Sequence, residues 1–323
     1  MNARLKKVLE RITRPALTYL APGAVILGYH RVSDSRWDPL NLAISRKNFR
    51  SQLEVIADRY SPVSLDTLMT MKWQGKSLRG HVAITFDDGC EDFVRNAMPE
   101  LVAHKIPATI FVTTGYAGEL FWWDEVSQLL KNASSELNEI EVDFGAGDAS
   151  EIFEDLTNGE SAGRAVREIC DQLLDLEPSR RSEVIGRIRR QTAGEARSNG
   201  APCAMTRQQL QQVSDNAMVE VAAHTVTHPM LSRLGRGEQE KEIQDSKSVL
   251  EALGNRVTGF SYPNGSYTAS TTEIVRESGF DYACTSRQSA VRQKTNNYQL
   301  PRIWVPNMGG ESFGGWISSW SGT

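Results

Sequence analysis

Short apolar runs rich in β-branched and aromatic residues recur along the chain, and between them apolar residues fall at helical spacing. "AVILGYH" reads as a strand, after which Ser45 caps a helix carrying Phe49, Leu53, Ile56 and Ala57 on one face. "SLDTLMTMK" predicts a short helix, "VAITF" a buried strand, "FVRNAMPELVAHK" a helix and "PATIFVTTG" another strand. Strand, helix, strand in this order implies parallel pairing through a right-handed crossover. From 120 to 204 the character changes, with an acidic, Gly/Ser-dotted stretch and then the charged helical pattern "EPSRRSEVIGRIRRQTAGEARSNGAP". This predicts a mostly helical insertion laid over one face, with little visible chemistry of its own.

The alternation then resumes. A helix near "TRQQLQQV" precedes strand "MVEVAA", helix "GEQEKEIQDSKSVLEAL", strand "TGFSYP", helix "STTEIVRESG", strand "DYACTS" and a last strand near "QLPRIWV". Gly254 and Gly279 stand where helix C-caps belong. About seven strands alternating with helices predict an α/β fold, a closed or nearly closed β/α barrel whose active groups lie at the strand C-terminal ends.

Composition narrows the functional classes. With 323 residues and 40% hydrophobic content the chain can build a large core, while a net charge of -4 and no basic run interleaved with aromatics argue against nucleic acid as a partner. The cysteines, Cys90, Cys170, Cys203 and Cys284, form no C-x-x-C pair and read as reduced thiols of a cytoplasmic chain. Residues 1–24 form a basic amphipathic segment, with Leu5, Val8, Leu9 and Ile12 at helical spacing among Arg4, Lys6, Lys7, Arg11 and Arg14. Two readings stay open for it: a surface helix packed on its own domain, or peripheral contact of residues 1–20 with anionic lipid at the inner membrane. No secretory signal and no bilayer-length span is read. The expected organisation is this segment followed by one barrel over 25–323, interrupted by the 120–204 insertion.

The candidate chemistry sits where predicted strands end. In "VAITFDDGCEDF" the strand runs into Asp87 and Asp88, two adjacent carboxylates whose like charges resist burial together. A plain Asp-Gly turn is one reading. "HTVTHP", directly after "MVEVAA", brings His224 and His228 four residues apart, a spacing that aims two imidazoles at one divalent ion. Asp88 can then serve as a hard third ligand, leaving Asp87 to take a proton from the attacking water.

"TFDDG" followed by "HTVTH", with "YPNG" downstream, resembles the polysaccharide deacetylases of carbohydrate esterase family four, the NodB-homology fold. The resemblance covers roughly 25–120 and 205–305. It implies a distorted (β/α)7 barrel and metal-dependent hydrolysis of N-acetyl groups on amino sugars. It also implies Asp88, His224 and His228 as metal ligands, Asp87 as general base, and zinc as the default ion, with cobalt, nickel or iron also suited to the donors. The family's Arg-x-Pro-aromatic-Gly motif is here Ser261-Tyr262-Pro263-Asn264-Gly265; the backbone N–H of Asn264 falls at the oxyanion-donor position, and the arginine is missing. Arg302, in "LPRIWV", is the candidate substitute. The late Leu-x-His motif that supplies the general acid is also missing, and His30 in "GYHRV" resembles the relocated histidine of deacetylases acting on biofilm poly-N-acetylglucosamine.

His81 and His104 flank elements and read as solvated. Trp122 and Trp123 in "FWWDEV" read as one packing residue and one substrate contact, with Asp124 placed to orient a catalytic group. The expected partner is an N-acetylated glycan or glycolipid. Two rivals remain at this stage: a catalytically silent carbohydrate-binding protein on a deacetylase scaffold, and a hydrolase of a non-sugar amide or O-acetyl ester.

Overall fold

The structure, a computed structural model, describes residues 23–133, 137–145, 150–192 and 203–321. The basic segment 1–20 therefore lies outside the described residues. Seven parallel strands form the centre: β1 (Val25–Tyr29), β2 (His81–Phe86), β3 (Ala108–Val112), β4 (Val219–Ala223), β5 (Gly259–Ser261), β6 (Tyr282–Cys284) and β7 (Ile303–Trp304). Their order in the sheet is β6-β5-β4-β3-β2-β1-β7. β1 and β2 run in register from Val25–Val82 to Tyr29–Phe86, and β3 and β4 from Ala108–Val219 to Val112–Ala223. The sheet curls until its two edges meet, where Leu300 donates its N–H to Ala283 (2.9 Å) and accepts from Thr285 (2.8 Å) just before β7. The result is a distorted (β/α)7 barrel.

Strand periodicity sorts the side chains between two environments. Val25, Leu27 and Tyr29 on β1, with Val82, Ile84 and Phe86 on β2, pack outward against the helical layer. The alternate residues Ile26, Ala83, Phe111, Ala222 and Cys284 form a separate internal cluster, capped from below by Leu65, Leu68 and Met69. Continuing that inward face upward brings Thr85, then Asp87 and His224, to the C-terminal mouth.

The helices fall between the strands: α1 (Arg46–Arg59), capped by Ser45, α2 (Leu65–Trp73), and α3 (Met98–His104), which a π-helical turn at Phe93–Ala97 leads into. The region inserted after β3 holds α4 (Trp122–Ala133), α5 (Gly159–Leu173) and α6 (Pro178–Gln191). It also contains a two-stranded antiparallel hairpin, Ile140–Val142 with Glu151–Phe153, which the acidic Gly/Ser-dotted pattern did not announce. This region has a core of its own around Trp122, Leu129, Ile140, Val166, Ile169 and Ile188. Leu40, Leu42 and Trp37, from the loop after β1, pack onto that second core rather than onto the barrel. The chain returns through α7 (Arg207–Ser214), α8 (Arg236–Glu251) and α9 (Ala269–Glu277), and ends with α10 (Gly310–Ser321) against α1. Among the described residues no helix is long and apolar enough to cross a membrane, and Cys90, Cys170 and Cys284 are free thiols.

Candidate active site

A cavity of about 220 Å³ opens at the C-terminal mouth of the barrel, lined among others by His30, Asp87, Asp88, His224, His228 and Asn264. The residues singled out at strand ends therefore share one space, brought from the ends of β1, β2, β4 and β5. The backbone there is strained. Asp88 (φ 72°), Thr225 (66°), His228 (57°) and Asn264 (54°) all occupy the left-handed region, which non-glycine residues adopt at a cost of order 1–3 kcal/mol each. Surrounding bonds hold these conformations. The Asp88 carbonyl accepts from the Thr113 N–H (3.0 Å), and His228 N–H donates to Thr225 Oγ1 (3.1 Å). Glu242 of α8 accepts from Val226 N–H (2.8 Å), Thr227 N–H (2.9 Å) and Thr227 Oγ1 (2.6 Å), fixing the loop between the two histidines.

Asp88 Oδ1 lies 3.6 Å from His224 Nε2 and 3.5 Å from His228 Nε2. Two ligands each about 2.1 Å from a tetrahedral ion stand about 3.4 Å apart, so these spacings suit one shared ion. Among the described residues this is the one cluster of His, Cys, Asp and Glu with ligand atoms close enough to hold a metal. His224 Nδ1 is 2.7 Å from the Ser261 carbonyl, which fixes the proton on Nδ1 and turns the Nε2 lone pair toward Asp88. Burial pushes both imidazoles below their ordinary range, the Asp87 charge opposing, so both are neutral donors near neutrality. The local charge balance agrees with a dication. Asp87, Asp88, Asp92 and Asp124 cluster here beside the permanent cations Arg31 and Arg302, with Arg181 also acting on His228, and burial followed by the Asp87 charge pushes Asp88 up to about 8. Burial likewise holds Asp92 up at about 7.

Asp87 behaves in the opposite way. Burial raises it, but Arg302 donates to its two oxygens at 2.6 and 2.7 Å, and together with His224 this holds the carboxyl well below the usual range. Arg302 is fully buried and also donates to Ser261 Oγ (2.8 Å), Thr85 Oγ1 (3.3 Å) and the Thr285 carbonyl (3.3 Å). Ser261 stands where the resembled motif has arginine, and its small side chain leaves room for a guanidinium arriving from the start of β7.

His30 lies at the end of β1 with its ring stacked on Trp304, centroids 4.6 Å apart and planes 15° apart. Burial pushes this imidazole down to about 4, with Asp87 opposing, so it is neutral in the resting site. Trp304 was not singled out from sequence, although Gly28 carries a signal for it: a Cβ there would meet the indole at 2.7 Å. Trp122 and Trp123 are both buried and both line the cavity, and Trp123 packs on His228 at 4.7 Å. Asp124 turns away from the cavity to form a buried bidentate pair with Arg31. The inserted region, expected to carry little chemistry, supplies Cys170, Asp171 and Leu174 to the wall facing Leu40 and Leu42.

The sequence profile of the family described as polysaccharide deacetylase matches residues 74–140 and 187–283, just over half of the chain. Over 116 residues the chain is 32% identical to the poly-beta-1,6-N-acetyl-D-glucosamine N-deacetylase of Staphylococcus aureus (strain MSSA476), covering 32% of this chain and 40% of that protein. The chain spans about two fifths of the length of the curated relatives it matches. Among solved structures, IcaB from Ammonifex degensii superposes with a TM-score of 0.59 at 20% identity, covering 94% of this chain and 98% of that one. The Streptococcus pyogenes deacetylase PplD in complex with acetate gives 0.56 at 19% identity, covering 93% and 99%. At these identities the likeness is one of fold.

Proposed function

We propose that this chain, which belongs to the polysaccharide deacetylase family, hydrolyses the N-acetyl group of an N-acetylated amino sugar. The observation that carries the reading is the pairing of opposite electrostatics on adjacent residues. Arg302 keeps Asp87 anionic beside the cavity, while Asp88 joins two neutral imidazoles in a donor set spaced for one ion. Asp88, His224 and His228 would hold that ion, and two nitrogens with one carboxylate oxygen favour zinc. When bound, such an ion supplies Lewis acidity toward the acetyl carbonyl and toward water.

The chain's own residues account for the proton transfers. The water oxygen bonds to the acetyl carbon while Asp87 accepts one water proton, and the charge gathering on the carbonyl oxygen faces the Asn264 backbone N–H. That developing charge draws onto His30, which is neutral at rest, the proton that Asp87 has taken. The carbon–nitrogen bond then breaks as the nitrogen takes the proton from His30, releasing acetate and a free amine. Asp87 has by then passed its proton on and His30 has given it to the amine, so both return to their resting states, and the second water proton leaves the acetic acid for solvent. The name of the Staphylococcus relative makes a β-1,6-linked N-acetylglucosamine oligomer the first substrate to try.

The test combines metal analysis of the purified protein with acetate release from that oligomer. The expected result is about one equivalent of divalent metal, with turnover that falls on the order of 10²-fold or more in Asp87→Asn. A protein that binds no divalent ion, or a fully active Asp87→Asn variant, would overturn the proposal.

A further inference from the structure

We propose that Asp124 is a positioning residue: from the start of α4, through its buried pair with Arg31, it sets the placement of His30 at the end of β1. The inference rests on the deacetylase reading for its kinetic arm and on geometry alone for its structural arm. His30 is followed directly by Arg31, whose N–H donates to the Leu42 carbonyl at 3.2 Å and whose guanidinium forks onto both oxygens of Asp124. Both side chains are buried. Asp124 sits in the first turn of α4, immediately after Trp123, which packs on His228. One ion pair therefore ties the strand end bearing His30 to the helix turn that backs His228.

A purely structural purpose would be served without charge. Replacing a buried ion pair with apolar residues of similar volume is often neutral or stabilising, and this pair is incompletely satisfied, because Arg31 Nε is buried with no partner. Nor is the pair needed to fasten the two segments together. Trp37 Nε1 donates to Ser127 Oγ at 2.8 Å, Arg167 donates to the Pro39 carbonyl at 3.0 Å, and Leu40 and Leu42 pack into the second core. What the pair adds is direction. The flat fork fixes the Arg31 side chain, and with it the backbone from which the His30 ring reaches its stack on Trp304.

The experiment uses Asp124→Asn and the paired variant Arg31→Met/Asp124→Met, the second keeping the volume if the first folds poorly. Thermal melts establish folding, and NMR measures the contact between the His30 imidazole and the Trp304 indole. The expected result is a folded protein in which the ring contact is weakened. Acetate release should show kcat down about tenfold or more with KM little changed, and no further loss when Asp124→Asn is added to His30→Ala. An unchanged ring contact, or losses that simply add in the His30→Ala background, would overturn the proposal. If wild-type protein releases no acetate, the deacetylase reading fails while the ring contact still decides the placement of His30.

Discussion

Two buried arginine–aspartate pairs flank the cavity, built from the same residue types with the same forked geometry, and they leave their carboxyls shifted in opposite directions. Arg302 spends its donors fully, on Asp87, Ser261, Thr85 and the Thr285 carbonyl, and Asp87 stays well below the usual carboxylate range. Arg31 leaves its Nε without a partner, and at Asp124 burial outweighs the guanidinium, so that carboxyl is raised. The difference lies in the surroundings. Asp87 also has His224 Nε2 at 3.8 Å, whereas Asp124 has the Asp38 charge nearby. A salt bridge drawn between two residues does not by itself fix their protonation; the remaining neighbours do.

Deleting each arginine is the most direct way to break this comparison. Arg302→Met leaves a buried carboxylate facing the cavity with no cation, and a loss of about 3–5 kcal/mol is expected for breaking a buried pair. Arg31→Met should cost less, roughly 1–3 kcal/mol, because Asp124 is already shifted toward accepting a proton. Urea denaturation of the two variants measures both. Equal losses would mean that the two pairs are electrostatically alike after all.

Titration without metal sharpens the contrast next. Asp88 and Asp92 are pushed up to about 8 and about 7, whereas an unfolded chain releases those protons near 3.9. Between about pH 4 and pH 8 these two carboxyls hold protons that the unfolded chain has lost and so lower stability as pH rises, while His30, His224 and His228, kept neutral by burial, raise it until unfolded histidines lose their protons near 6.5; above that pH only the decline remains. Asp87 works the other way: its stabilisation is complete above about pH 4 and is lost as pH drops below it. Chelated protein should thus melt at its highest temperature on the acid side of neutrality, and added zinc should flatten the decline toward pH 8. Thermal melts in chelator and in zinc across this range check it; a flat profile in chelator contradicts the charge balance drawn for the site.

What sequence could reveal follows from how each residue does its work. The convergence of Asp87, Asp88, His224 and His228 on one cavity was legible because these ionisable residues follow apolar runs directly, and strand ends are readable from apolar runs. The seven-strand alternation was legible for the same reason. Arg302 could be named only as a candidate, since its role depends on β7 lying beside β1, a non-local pairing. Glu242 was invisible: α8 carries several acids of equal appearance, and only the packing of that helix selects the one that caps the loop between the histidines. The hairpin at 140–153 was missed because its strands are three residues each, too short for a period-2 pattern to stand out. The inserted region's part in the cavity was hidden as well, because Cys170, Asp171 and Leu174 carry no motif and reach the site only through a second core.

Gly28→Ala gives the smallest expected effect and separates the two pairs most cleanly. A Cβ at this position would meet two ring carbons of Trp304 at 2.7 Å, closer than real contacts allow, so the indole must shift. Trp304 lies directly against one of the two arginines: its ring is 4.7 Å from the Arg302 guanidinium and meets the other pair through the stacked His30 ring. Overpacking of this kind costs about 1–3 kcal/mol, and if His30 is the proton donor proposed above, a displacement of that size at its stack lowers acetate release roughly tenfold. Because Arg31 and Asp124 are held by α4 and the loop after β1, their pair should survive, which the additivity of Gly28→Ala with Asp124→Asn in stability would register. Strong coupling between those two substitutions would mean instead that Trp304 and His30 transmit strain from one arginine to the other, and the two pairs would have to be treated as one network.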